Sequence, residues 1–200
     1  SLEGNEQELK KEAARRLKVP VSAVHALRLV RRSVDARKKD AVHFICTVEC
    51  EAPEGKGKGD SKVTEAVPYI YKIPRLKRVG RRPVVVGFGP AGMFAALVLA
   101  RAGSRPIVVE RGASVEERSR DVEQFWNTGT LNPESNVQFG EGGAGTFSDG
   151  KLNTGTKDIR AGFVLQEFVK ASAPEEILWE ARPHIGTDRL PSAVRKIREE

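Results

Sequence analysis

The fold is decided by residues 83–111, which read PVVVGFGPAGMFAALVLARAGSRPIVVER. This stretch contains, in order, an apolar run, a turn with three glycines, an apolar helical segment, a second apolar run and an acidic residue. A short continuous apolar run is typical of a parallel strand that is buried on both faces. The order strand, turn, helix, strand predicts a βαβ unit with two parallel strands. We therefore predict an α/β fold whose first strand, at Val84, Val85 and Val86, is buried on both faces.

The turn has the spacing Gly-x-Gly-x-x-Gly, and each glycine has a physical role in it. Gly87 permits the tight turn, Gly89 lets a diphosphate approach the backbone, and Gly92 lets the helix lie close to the strand. The helix N-terminus directs free N–H groups and a positive dipole end at the phosphates. The turn therefore predicts a Rossmann-type nucleotide site, and the contacts are expected from Gly87, Phe88, Gly89, Pro90, Ala91 and Gly92. The alternative is a turn that binds no ligand.

An acidic residue follows the second apolar run at the position that a ribose contact requires. Glu110 lies 18 positions after Gly92, close to the spacing at which a carboxylate accepts hydrogen bonds from ribose hydroxyls. A carboxylate at this position disfavours a 2′-phosphate, and hence NADP, although Arg111 places a cation next to it. We expect both Glu110 and Arg111 to contact the cofactor.

A helix is predicted after this unit, from about residue 114 to residue 127. Ser114 and Glu117 have the spacing of a capping box, which marks a helix N-terminus. Arg118 lies off the apolar stripe of this helix, so it is expected either on a solvated face or in contact with a cofactor phosphate.

A second glycine cluster occupies residues 135–152, with five glycines in the eleven positions 140–150. Such a loop exposes backbone N–H groups and lets a flat or anionic ligand come close. Apolar residues within it should anchor it to a core, whereas the alternative is a flexible surface loop. The cofactor contacts predicted here are Gly142, Gly143, Ala144, Gly145, Thr146, Ser148, Asp149 and Lys151.

Charge is unevenly distributed along the 200 residues. Residues 1–82 hold 20 Lys and Arg against 11 Asp and Glu, whereas residues 83–200 hold 14 against 16. The pattern predicts a small basic α+β module over residues 1–73, a basic linker at 74–82 and the nucleotide-binding domain over 83–200. The basic part could contact RNA, a membrane surface or a protein partner, but a solvated face is favoured because no RNA-binding motif accompanies the charge.

The module itself has a simple pattern of predicted elements. We expect a helix over residues 5–17, two strands over 26–34 and 41–51 joined by a hairpin, and a further strand within 63–73. Residues 52–62 contain three glycines and one proline, and they are expected to form a flexible loop. Two more helices are predicted farther along, at 159–171 and 190–200.

The cysteines and the hydropathy of the sequence exclude several classes of protein. Cys46 and Cys50 lie on one face of a predicted strand without a second pair, which argues against a zinc site and against a disulfide. Reduced thiols favour a cytoplasmic location. No apolar run approaches 18 residues and the first residues are polar, so we expect neither a membrane span nor a signal peptide.

The motifs together resemble those of a bacterial family of uncharacterised FAD-dependent dehydrogenases. The resemblance is carried by Gly87–Gly92 with Glu110 and Arg111, by residues 121–126, and above all by residues 135–152. Residues 33–39 resemble a signature of the small N-terminal module of that family, and residues 183–188 resemble another of its segments. The resemblance thus covers almost the whole chain.

The resemblance implies FAD as the cofactor, with NAD(P)H as a candidate electron donor. It implies an FAD-dependent oxidoreductase of unknown substrate, and no catalytic residue is assigned. Family members are much longer, so we expect this chain to be an N-terminal fragment with an incomplete FAD/NAD(P)-binding domain. Two alternatives stay open, an NAD-binding dehydrogenase and a non-catalytic module whose basic part contacts RNA or a protein.

Overall fold

A computed structural model of the chain describes residues 6–76 and 80–200. The helices and strands, in chain order, are α1 (Glu6–Leu17), β1 (His25–Asp35), β2 (His43–Glu51), β3 (Val84–Val86), α2 (Pro90–Arg101), β4 (Ile107–Val109), α3 (Val115–Thr128), α4 (Ala161–Lys170) and α5 (Leu190–Glu199). Short 3₁₀ turns lie at Val21–Ala23, Ala144–Phe147 and Glu175–Leu178. None of the described helices is both long enough and apolar enough to cross a bilayer.

The described chain divides into two compact units. The first unit extends to Tyr69 and includes Leu178–Pro183, and the second comprises Ile70–Ile177 and His184–Glu200. The domain limits predicted at residues 73 and 82 stay a prediction, and residues 77–79 of the predicted linker lie outside the described part of the chain.

The first unit consists of α1 and an antiparallel hairpin. In the register of β1 and β2, Val34 pairs with Phe44 and Arg32 with Cys46. The predicted alternation holds in β2, where Phe44, Cys46 and Val48 are less exposed than the residues between them. Residues 178–183 join this unit because Arg32 N donates to Trp179 O at 2.7 Å. The strand predicted within residues 63–73 is wrong, since these residues form no strand.

The second unit contains the parallel pair predicted from the sequence. β3 and β4 are parallel and in register, with Val85 opposite Val108, and α2 connects them. Helix α2 ends as expected, because Gly103 has a φ of +89° and its N–H donates to Ala100 O at 2.8 Å. The result is a mixed α/β unit in which the glycine turn joins the first strand to the helix.

The core of the second unit lies among the helices and not around the sheet. Phe94 of α2 contacts Phe168 of α4 edge to face, with ring centroids 5.3 Å apart. Arg101 of α2 also donates to the buried carboxylate of Glu167 at 2.6 Å. The fully buried apolar side chains of this core include Met93, Leu97, Val115, Phe168, Ile177, Ile185, Leu190, Val194 and Ile197.

The strands are far more exposed than their composition suggests. Val86 has 83% of its surface exposed, and Val84 and Val109 are also exposed. Val85 is the half-buried residue of β3 and packs on the core beside α2. The prediction that β3 is buried on both faces is therefore wrong. Among the described residues, side chains of the core cover one face of the strand pair only.

The ion pair between α3 and α5 gives the stability of this unit a pH dependence. Arg198 donates to Glu116 at 2.7 Å, and this hydrogen bond, followed by one from the backbone, lowers the pKa of Glu116 from 4.5 to about 2. A lowered folded-state pKa contributes stability above pH 4.5, and this is lost as the pH falls towards 2. The gain is below about 1 kcal/mol because both side chains are partly exposed.

We expect Glu116→Gln to lose less stability than the parent chain when the pH is lowered through that window. The measurement is the urea midpoint at about pH 6 and about pH 3 for both proteins. Glu123→Gln, on the exposed side of the same helix, is the matched control and should behave like the parent. An equal loss in the parent and in Glu116→Gln would contradict the prediction.

Candidate functional site

The N-terminus of α2 presents backbone donors directly after β3. Gly89 caps the helix and Pro90 occupies its first turn, where a missing N–H costs nothing. The N–H groups of Gly89, Ala91 and Gly92 donate to no acceptor among the described residues. They form a short row of unused donors at the positive end of a helix dipole.

The glycines of this turn are required for different reasons. Gly87 has a φ of +92°, which side chains rarely tolerate, and its N–H donates to Val109 O at 2.7 Å. A Cβ at Gly92 would lie 1.9 Å from Gly87 O, so only glycine allows the helix to approach the strand so closely. Around Gly89 a Cβ would meet only Gly143 Cα at 3.9 Å, so the space above this residue is open.

Glu110 lies beside the turn, at the end of β4. Its Oε2 accepts a hydrogen bond from Phe88 N at 2.5 Å and its Oε1 accepts one from Gly112 N at 2.9 Å. The carboxylate is thus held against the first residue after Gly87. Each carboxylate oxygen accepts about two hydrogen bonds, so acceptor capacity remains on both oxygens.

The second glycine cluster meets the first one. Gly142 N donates to Phe88 O at 2.8 Å, and a Cβ on Gly143 would lie 3.1 Å from Pro90 Cδ and 3.4 Å from Gly89 Cα. Gly142 and Gly143 both have positive φ angles. Two segments about 50 residues apart in sequence thus line one place at the start of α2. The alternative of a flexible surface loop does not hold for residues 140–143.

Arg118 holds the second glycine cluster in place through hydrogen bonds to its backbone. The side chain is 0% exposed, and its guanidinium donates to the carbonyls of Glu141, Gly143, Asn136 and Val137. Burial lowers the pKa of this guanidinium from its ordinary value, and nearby carboxylates oppose that effect. The expectation of a solvated Arg118 is wrong. Its predicted contact with a cofactor phosphate stays a prediction, and such a contact would compete with these carbonyls.

Glu141 was not selected as a candidate from the sequence, yet it is a central side chain of the loop. It is 4% exposed, and its Oε2 accepts from Val115 N and from Arg198 Nη1, each at 2.6 Å. Its Oε1 has no partner among the described residues. In the sequence, the signal for Glu141 was its position as a single carboxylate between Gly140 and Gly142. Neither neighbour has a side chain, so the partners of this carboxylate must come from other parts of the chain.

The remaining residues of the second cluster that were predicted to contact the cofactor have other partners in the protein. Thr146 is buried and its hydroxyl donates to Glu141 O at 3.3 Å, while Ser148 Oγ donates to Gly145 O at 2.7 Å. Asp149 and Lys151 are exposed and pair with each other at 2.8 Å. Their assignment to the cofactor, like that of Ala144 and Gly145 in the 3₁₀ turn, stays a prediction.

Arg111 contacts the segment that leads into the second glycine cluster. Its guanidinium lies 4.8 Å from the centre of the Phe139 ring, and it pairs with Glu134 at 3.3 Å. The side chain is exposed, so it is free to reorient towards a ligand near Glu110.

A cavity of about 470 Å³ opens beside Glu110 in the second unit. Apolar side chains of α2 and β4 form most of its wall, including Met93, Leu97 and Val108, and Glu141 contributes a carboxylate. The described residues hold no group of three or more His, Cys, Asp or Glu side chains that could bind a metal ion. The chemistry available here is therefore hydrogen bonding by backbone amides and carboxylates beside apolar space.

The chain matches two protein families over separate stretches. Residues 82–130 match a family described as an FAD binding domain, and this match includes the glycine turn, α2, β4 and Glu110. Residues 1–51 match a domain of unknown function (DUF8436), which corresponds to α1 and the hairpin. The first match supports FAD as the cofactor and, coarsely, an FAD/NAD-binding fold.

A relative from Clostridium beijerinckii, which carries the name "Uncharacterized protein", is 47% identical over 206 residues. The match covers 100% of this chain and 39% of the relative, so the chain spans well under half the length of that protein.

Proposed function

We propose that the natural protein is an FAD-dependent oxidoreductase and that this chain supplies the part of a Rossmann-type domain that binds the ADP half of FAD. One observation carries the proposal. Both glycine clusters meet at the N-terminus of α2, where Gly142 N donates to Phe88 O at 2.8 Å beside the unused N–H groups. The family match at residues 82–130 supports FAD as the group that this arrangement receives.

The diphosphate is assigned to the start of α2. The N–H groups of Gly89, Ala91 and Gly92 are the candidate donors, because the described protein leaves them without acceptors. A Cβ on Gly89 would meet no atom closer than 3.9 Å, so the missing side chain leaves room for an anionic group to reach the backbone there.

The ribose is assigned to Glu110. Its two backbone hydrogen bonds fix the carboxylate beside the turn, and the remaining acceptor capacity suits two neighbouring hydroxyl groups. Arg111 is a candidate for a further contact because its guanidinium is exposed next to this carboxylate.

When bound, a flavin supplies hydride and electron transfer, and the protein contributes binding, orientation and exclusion of water. Residues 142–151 are proposed to approach the diphosphate or the flavin ring.

The test is the visible spectrum of the natural protein that contains this chain, followed by titration of the stripped protein with FAD and with NAD⁺. We expect flavin absorbance, or tight uptake of added FAD with a change in flavin fluorescence. A colourless protein that takes up no FAD would defeat the proposal. Tight binding of NAD⁺ without FAD would replace it with the NAD-dependent alternative.

Glu110→Gln should weaken FAD binding by about tenfold, because a hydrogen bond to a charged acceptor contributes about 1.5 kcal/mol or more. The measurement is the FAD dissociation constant by flavin fluorescence. Glu176→Gln, which removes an exposed carboxylate elsewhere in the same unit, is the control and should bind FAD like the parent. Unchanged affinity in Glu110→Gln would remove the ribose assignment while leaving the diphosphate assignment standing.

A further inference from the structure

The first unit contains a second backbone arrangement suited to an anion, at residues 55–59, here called the Gly-Lys turn. The sequence alternates glycine and lysine over these five positions. Gly55, Gly57 and Gly59 have φ angles of +74°, +76° and +92°, whereas Lys56 and Lys58 are not among the residues with positive φ. The sign of φ therefore alternates at every residue of the turn.

In turns whose successive residues have φ angles of opposite sign, neighbouring N–H groups can point to the same side and form a concavity. Such a concavity is a known device for binding phosphate and other anions. Residues 54–59 form consecutive turns, and Asp60 N donates to Gly57 O at 3.2 Å. No N–H group of residues 55–59 makes a hydrogen bond of good geometry with the described protein, so these donors can turn towards a ligand.

The Gly-Lys turn is anchored and does not form the flexible loop expected from its glycines. A Cβ on Gly57 would lie 2.7 Å from Val63 Cγ1 and 3.0 Å from Leu17 Cδ2, so this residue packs against α1. Asp60 closes the turn, because its N–H donates to Gly57 O at 3.2 Å and its carboxylate accepts from Lys62 N at 2.9 Å. The concavity is therefore held in place by the fold of the first unit.

Cationic side chains surround the open side of the turn. A cavity of about 400 Å³ is lined by Arg15, Arg16, Lys18, Lys58 and a single carboxylate, Asp60. Arg15 pairs with Glu12 and Arg16 pairs with Glu12 and Asp60. Lys18 and Lys58 form no ion pair within the described part of the chain, so two ammonium groups remain for a ligand.

We propose that the Gly-Lys turn binds a phosphate group carried by a small molecule. Backbone donors within one short turn, two ammonium groups without ion pairs and a cavity of this size match one compact anion with two or more negative charges. A polymer such as RNA would need a stripe of phosphate contacts, whereas these donors gather at a single turn. The site is separate from the glycine clusters proposed to bind FAD.

The experiment is calorimetric titration of the 200-residue chain, in buffer free of phosphate, with inorganic phosphate, pyrophosphate, ATP and a short single-stranded RNA. Saturable binding of pyrophosphate, or of phosphate, is expected. Lys58→Glu should weaken this binding by about tenfold or more, since it replaces a charge-assisted donor with a repelling carboxylate. Tighter binding of ATP than of pyrophosphate would identify a nucleotide as the carrier of the phosphate group.

Two further variants separate the site from general electrostatics. Gly59→Ala tests the backbone alone, because a Cβ there meets no atom within 4 Å while its φ of +92° disfavours alanine. It should also weaken binding, whereas Lys38→Glu, the same charge change in the exposed β1–β2 turn, should not.

The absence of phosphate and pyrophosphate binding would overturn the proposal. So would an equal loss in Lys38→Glu and Lys58→Glu, or binding of RNA alone.

Discussion

Replacing Gly92 with alanine is expected to destabilise the second unit by about 3 kcal/mol or more. The new Cβ would lie 1.9 Å from Gly87 O and 2.9 Å from Gly87 C, and these are backbone atoms that cannot rotate away. Helix α2 would have to move off β3, which separates the glycine clusters and disturbs the contacts of Met93 and Leu97 in the core. Urea unfolding followed by circular dichroism measures the loss.

Gly162→Ala provides the matched control for this substitution. Gly162 also lies in a helix, α4, but a Cβ there meets no atom within 4 Å. Alanine should stabilise that helix by up to about 1 kcal/mol, because it has the higher helix propensity. If both variants were as stable as the parent chain, the close approach of α2 to β3 would be wrong.

Removing the guanidinium of Arg118 is the second substitution with a large expected effect. Arg118→Met keeps much of the side-chain volume but leaves the carbonyls of Asn136, Val137, Glu141 and Gly143 without this donor. Each buried acceptor left unsatisfied costs about 1–3 kcal/mol, so a loss of about 3 kcal/mol or more is expected. The second glycine cluster should also lose protection against backbone hydrogen exchange.

The size of this loss depends on the geometry of the guanidinium as well as on its charge. Arg118→Lys should recover only part of the stability, because an ammonium has three donors where the guanidinium has five. Arg120→Met, on the exposed side of the same helix, is the control and should change stability by less than about 0.5 kcal/mol. If Arg118→Met behaved like that control, the loop would be held by other contacts.

Several local features follow from the sequence because they depend on residues close together in the chain. The capping box at the start of α3 is confirmed, with Ser114 Oγ accepting from Glu117 N. The strand–turn–helix–strand order of residues 83–111 and the end of α2 at Gly103 are also confirmed. In each case a glycine that permits an unusual backbone angle, or a short spacing of polar or apolar residues, decides the local structure.

Two of the expectations that were wrong concern burial. The valines of β3 were expected to be covered on both faces, and Arg118 was expected on a solvated face unless it contacts a cofactor phosphate, an alternative that stays a prediction. Apolar composition does not show which distant segments lie against a strand, and a charged residue off an apolar stripe is usually exposed. Arg118 is instead buried, because a loop about 20 residues away brings carbonyl groups to all of its nitrogens.

The sequence by itself therefore determined the parallel strand pair, the glycine turn that joins it to α2, and the acidic residue at the end of β4, since each rests on short-range constraints of the backbone. Only the tertiary structure decided that the second glycine cluster meets the first, that Arg118 and Glu141 hold it there, and that the Gly-Lys turn is anchored to α1. The physical reason is that these contacts join residues far apart in the chain, whose meeting is set by packing and by the need of buried polar groups for partners.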